Sequence, residues 1–212
     1  MNSILKPMLS LALVATVAAC SQPASKNNTV PDPNAKMVGD AASSPVAAAF
    51  NPGESRMGDQ MMAAVGSSIG DNWVRKMIVH HQGAIDMSQV VLGQRLTVEA
   101  EQMAKLTIEK QGREIEGLRK LIDNGKPDQK SASLYDPAMI QMQHAMMAAG
   151  GSTFSETYLR KMLAHHEGAV AMSDIALKNG VTGTVKAQIE RTKADQQKEV
   201  EMVSSMIGNP TK

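Results

Sequence analysis

Cysteine is nearly absent from this 212-residue chain: there is one, Cys20. A single thiol excludes an intramolecular disulfide and any Cys-based zinc or iron–sulfur site. Aromatic residues are almost as scarce, being only Phe50, Trp73, Tyr135, Phe154 and Tyr158. There is no excess of either charge, with 22 Lys plus Arg against 21 Asp plus Glu, a net +1. A nucleic-acid partner is therefore not expected, because it would call for a strongly basic face. No Gly-rich phosphate loop occurs, and no segment alternates with period two, so there is no case for a sheet. What is present in quantity is sulfur held as thioether, in 17 Met. The length suits one domain or two small ones, enough to bury a real core.

Met1 to Pro7 carries one cation, Lys6, and Met8 to Val17 is an apolar run of signal-peptide length. It is too short to span a bilayer. It ends in Val17-Ala18-Ala19-Cys20, which resembles the lipobox of bacterial lipoproteins. That resemblance implies cleavage before Cys20 and lipidation of its sulfur. With Ser21 next, it also implies anchoring in the outer membrane, facing the periplasm. The alternative is an ordinary signal peptide that leaves a free thiol. Residues 1–19 are thus expected to be the signal peptide. Residues 20–50, rich in Ala, Pro, Ser and Asn, are expected to form the lipidated Cys and a flexible tether.

An internal repeat follows at an offset of 85 residues, with no gap. Arg75-Lys76-Met77-Ile78-Val79-His80-His81-Gln82-Gly83-Ala84-Ile85-Asp86-Met87 matches Arg160-Lys161-Met162-Leu163-Ala164-His165-His166-Glu167-Gly168-Ala169-Val170-Ala171-Met172. Met57 and Met61 match Met142 and Met146, and Gln111-x-x-Glu114-Ile115 matches Gln196-x-x-Glu199-Val200. The repeats are residues 51–125 and 136–212, joined by a polar linker, 126–135. Each reads as a short helix (near Pro52–Val65 and Pro137–Ala149) followed by a helical hairpin. Asn51 and Asp136 suit N-caps ahead of Pro, and Asp71 and Ser155 suit N-caps of the first long helices. The second long helices are expected from about Thr97 and Thr182. Two such hairpins pack most simply as an all-α four-helix bundle, with the short helices laid against it.

Trp73, Met77, His80, Ala84, Met87 and Val91 share one helical stripe, with His81 on the adjoining one. Tyr158, Met162, His165, Ala169, Met172 and Ala176 repeat the pattern, with His166 beside them. A Met stripe is ordinarily core filling. Paired His residues turned inward in both copies are harder to assign to packing, which gains nothing from buried imidazoles. They read as metal ligands. Gly83 and Gly168 then permit close approach of a neighbouring helix or an ion. Gln111 and Gln196, inward on the second long helices, are expected to bond the non-ligating ring nitrogens and fix their tautomers.

The doubled His-His-x-Gly-Ala-x-x-Met motif, with Met three residues ahead and the downstream Gln-x-x-Glu, resembles the family catalogued as domain of unknown function 305. The resemblance implies a ferritin-like fold, export and copper binding. It also implies ligand roles for Met77, His80, His81 and Met87, and for Met162, His165, His166 and Met172. One departure is that Leu118 and Val203 stand where that family often places Met. The donor chemistry leads separately to the same metal, since neutral thioethers with imidazole favour Cu(I), and by analogy Ag(I), over oxygen-seeking ions. Met57, Met61, Met142 and Met146 are weaker candidates to close the sites. Imidazole must be neutral to bind, so affinity is expected to fall below about pH 6. The expectation is Cu(I) sequestration, buffering or delivery to a transfer partner, not catalysis. Two other readings stay open: a ferritin-like metalloenzyme of the oxidase type, and a metal-free helical interaction module.

Overall fold

The structure is a computed structural model that describes residues 44–208. The signal-peptide residues, Cys20 and most of the tether lie outside the described residues. Among the described residues every regular element is helical: α1 (Pro45–Ala48), α2 (Asn51–Ala63), α3 (Ile69–Leu92), α4 (Val98–Arg119), α5 (Gln129–Ala132), α6 (Asp136–Ala148), α7 (Phe154–Lys178) and α8 (Gly183–Gly208). A 3-10 turn, Ser133–Tyr135, leads into α6. Among these residues no helix is long and apolar enough to cross a membrane.

Three of the long helices, α3, α4 and α7, start where a hydroxyl in extended backbone reaches a free amide. Ser68 Oγ accepts from Asp71 N at 3.2 Å, Thr97 Oγ1 from Ala100 N at 3.3 Å, and Thr153 Oγ1 from Glu156 N at 3.1 Å. Asp71 and Ser155 are therefore not the caps expected of them. Both are already helical and tie elements together instead. Asp71 accepts from Ser67 N, Arg75 Nε and Asp123 N, and Ser155 Oγ accepts from Thr97 N at 2.8 Å. Asn51 and Asp136 likewise open their helices from inside, behind Phe50 and Tyr135. The turn from α7 to α8 uses Gly180 (φ 79°) and Gly183 (φ 67°), values that L side chains rarely adopt.

Two stretches read as connectors are partly folded. In the tether, α1 packs down with Ala47 and Phe50 buried. In the linker, α5 and the 3-10 turn bury Ala132 and Tyr135, and Tyr135 Oη donates to Ile69 O at 2.8 Å. Isolated large residues in a polar run gave no periodicity to read, yet each fills a place at the end of the bundle.

The fold is an all-α helical bundle. Hairpins α3–α4 and α7–α8 pack through α3 against α7, while α2 and α6 lie on α3 and α7 and touch each other. Bonds between the repeats come in matched pairs. Trp73 Nε1 donates to Ser173 Oγ at 3.2 Å, and the residues 85 positions away, Tyr158 and Ser88, meet at 2.8 Å. Within each repeat the match continues: Lys76 Nζ donates to Met61 O, and Lys161 Nζ to Met146 O, each at 2.8 Å and each buried. Both lysines thus close the last turn of a short helix, where carbonyls lack helical partners.

The symmetry breaks at one point. Lys161 pairs with buried Glu54 at 2.7 Å, but the counterpart of Glu54 is Met139, and among the described residues Lys76 has no carboxylate that close. Burial lowers the Lys76 pKa against the pull of Asp136. Burial raises the Glu54 carboxyl, with Lys161 opposing.

Candidate metal centre

The inward stripes of α3 and α7 face each other with no solvent between them. Met77, Met87, Met162 and Met172 are at most 2% exposed, and His80, His81, His165 and His166 at most 1%. Met57, Met61, Met142 and Met146 from α2 and α6 are buried as well. A Cβ on Gly83 would stand 2.2 Å from Met57 Sδ, and one on Gly168 would stand 2.3 Å from Met142 Sδ. The two mid-helix glycines are therefore there for a thioether. Each admits a Met of the short helix against the turn that follows a His pair.

His80 and His165 come together where α3 meets α7. Their rings stack with centroids 3.5 Å apart and planes 30° apart. His80 Nε2 lies 3.0 Å from His165 O, and His165 Nε2 lies 3.0 Å from His80 O. A carbonyl oxygen only accepts, so each Nε2 carries the proton and donates it. Each Nδ1 is then a bare lone pair, buried and without a hydrogen-bond partner among the described residues. Burial above all, with the neighbouring imidazoles, holds both rings well below the usual histidine range.

The second member of each pair turns to its own hairpin. His166 Nδ1 donates to Gln196 Oε1 at 2.7 Å. The amide is oriented from its far side, where Gln196 Nε2 donates to Glu199 Oε2 at 2.9 Å and a carboxylate only accepts. That leaves His166 Nε2 as the bare nitrogen, again unpartnered among the described residues. Burial lowers the pKa of His166, opposed by Glu199 and Gln196.

His81 differs. Its Nε2 lies 2.9 Å from Glu114 Oε2, in contact but out of line for a hydrogen bond. Gln111 Oε1 has no partner among the described residues. Gln111 therefore does not take the role expected of it, and the group that faces this ring is the Glu114 carboxylate, three residues further on. Burial alone would raise Glu114, but His81, Lys110 and His166 hold it below the ordinary carboxylate range.

Lys110 joins the two hairpins at this level. Its Nζ is 2.6 Å from Glu199, 3.8 Å from Asp195 and 4.0 Å from Glu114. Glu114 and Glu199 recur at the repeat offset, as do Lys76 and Lys161, so the signal for all four was present in the sequence. Lys110 has no such signal, since its counterpart is Asp195. Among the described residues no three His, Cys, Asp or Glu side chains converge as a metal-holding group. Any centre here draws on thioether and imidazole together. His144 is exposed and lies apart from it.

These features define a duplicated helical bundle with an imidazole- and thioether-lined interior. The profile of the domain of unknown function (DUF305) matches residues 17–122 and again 123–207, and the chain belongs to that family. Comparisons with curated proteins and with solved structures gave no match.

Proposed function

We propose that this protein binds Cu(I), and Ag(I) by the same chemistry, to sequester or buffer it in the cell envelope. The observation that carries this reading is the pair of tautomer-locked imidazoles, His80 and His165. Their unprotonated Nδ1 atoms are buried without partners in a setting rich in thioethers. A buried polar atom left unsatisfied costs on the order of 1–3 kcal/mol, and His80 Nδ1, His165 Nδ1 and His166 Nε2, all without partners among the described residues, ask for a ligand. A neutral donor set of imidazole and thioether selects a soft, low-charge ion. Binding releases no proton from Met, and none from His above its lowered pKa. The lipobox-like segment ending in Cys20 supports export and a lipid anchor, which would set this interior on the envelope side of a membrane.

Oxidase chemistry of the di-iron type has less support. Glu114 and Glu199 direct oxygens to His81, His166, Gln196 and Lys110, where such a centre needs them on the metal.

The test uses the chain without residues 1–19 and with Cys20 replaced, titrated with Cu(I) under reducing conditions against a chromophoric chelator. Tight binding that disappears when both His pairs become Ala supports sequestration. No bound copper at micromolar free Cu(I) refutes it, and consumption of oxygen with Fe(II) would restore the enzyme.

A further inference from the structure

We infer that the two repeats build one composite metal centre on their shared axis, not two separate sites. This rests on the metal-binding reading above and adds how many ions the chain holds and which residues hold them. The His pairs are split in space. His80 and His165 leave their own hairpins to stack on each other, while His81 and His166 turn to α4 and α8. Each ring of the stacked pair takes its tautomer from the backbone of the other repeat, so neither repeat holds its donor nitrogen in place alone.

The distances bound the outcome. The ring centroids are 3.5 Å apart. Ring nitrogens sit about 1 Å from a centroid, so the two Nδ1 atoms are within about 6 Å of each other in any orientation. Two ions, each about 2 Å from its nitrogen, would lie within about 10 Å in a dry interior. At an effective dielectric constant of about 20, two unit charges that close weaken the second binding by at least about tenfold. Among the described residues the nearby carboxylates already face cations or the outer imidazoles. Glu114 and Glu199 are held by Lys110 and the outer imidazoles, and Glu54 is held by Lys161. The first ion therefore occupies the axis and draws on both repeats.

The experiment counts ions and asks whose ligands they use. The chain carrying Cys20→Ser is titrated with Ag(I), and with Cu(I) under ascorbate, and read by native mass spectrometry and chelator competition. Two volume-conserving variants are compared: Met77→Leu with Met87→Leu in the first repeat, and Met162→Leu with Met172→Leu in the second. His80→Leu and His165→Leu serve as a harsher pair, with helicity checked by circular dichroism. One tight ion per chain is expected, with any second at least about tenfold weaker. Either Met variant should weaken that same ion, leaving the stoichiometry of tight binding at one. Two ions of equal affinity, with each variant removing one and leaving the other at wild-type strength, would overturn the composite centre while leaving metal binding intact. A wild-type chain that binds neither metal would overturn both.

Discussion

Gly83→Ala is the most informative single change, because two effects of known sign oppose each other there. In an open helix interior, Gly to Ala stabilises by about 1 kcal/mol. Here the new methyl would lie 2.2 Å from Met57 Sδ, 2.8 Å from its Cγ and 3.3 Å from its Cβ. Three successive atoms of a side chain only 3% exposed must move, and overpacking of that kind costs about 1–3 kcal/mol. A net destabilisation of about 1 kcal/mol is expected. Met57→Ala alone removes buried atoms and should cost about 2–5 kcal/mol. In that background the clash is gone, so Gly83→Ala should stabilise, giving a coupling of about 2 kcal/mol between the two sites. Urea unfolding of the four proteins, with constant m-values as the two-state check, measures this directly. Gly168→Ala should destabilise for the same reason, and Met142→Ala should relieve it only in part, since Met142 Sδ, Cγ and Cβ all lie within 2.8 Å of the corresponding point. Equal stabilisation by Gly83→Ala in both backgrounds would mean that Met57 does not rest on that turn, and the account of both glycines would fall.

Three further outcomes follow from the buried polar groups. Because burial lowers the pKa of His80 and His165 below the ordinary 6.5, their stabilisation is present above 6.5 and is lost as pH falls below it. The metal-free chain should therefore lose stability between pH 7.5 and 5.5, by up to about 3 kcal/mol for two groups, read from urea midpoints, and a flat profile would mean that the rings are solvated. Glu54→Gln leaves buried Lys161 with neutral acceptors and no opposite charge, and should cost about 3–5 kcal/mol. Met139→Glu, which places a carboxylate at the equivalent position near Lys76, should not lower the thermal midpoint; a drop as large as that of Glu54→Gln would refute the equivalence. Gln196→Leu should weaken Cu(I) binding by about tenfold by freeing the His166 tautomer, while Gln111→Leu should leave it within twofold. Equal effects from the two would contradict the difference between the hairpins.

Most of the architecture was legible because duplication prints the same pattern twice. The stripes through Trp73 and Tyr158, and the hairpins they imply, needed only helical spacing. The caps of the first long helices lie three residues before the expected position in α3 and two before it in α7. Ser68 and Asp71, like Thr153 and Ser155, are both plausible caps locally, and the choice is made by contacts to Asp123 and Thr97 across the fold. The division of labour within each His pair was not legible, since adjacent residues on a helix differ by about 100° and only tertiary packing says which one meets the other repeat. Glu54 was hidden for another reason. It has no partner at the repeat offset, so its pairing with Lys161 leaves no trace in the sequence.

Trp73 is fully buried, carries the chain's one indole and donates to Ser173 in the other repeat. It stands one turn before Met77 and two before His80 on the same stripe. The protein thus contains a built-in optical probe at the seam between its halves, needing no label. Separation of the repeats would shift the emission of this indole to the red, and a heavy cation lodged against the same stripe would quench it.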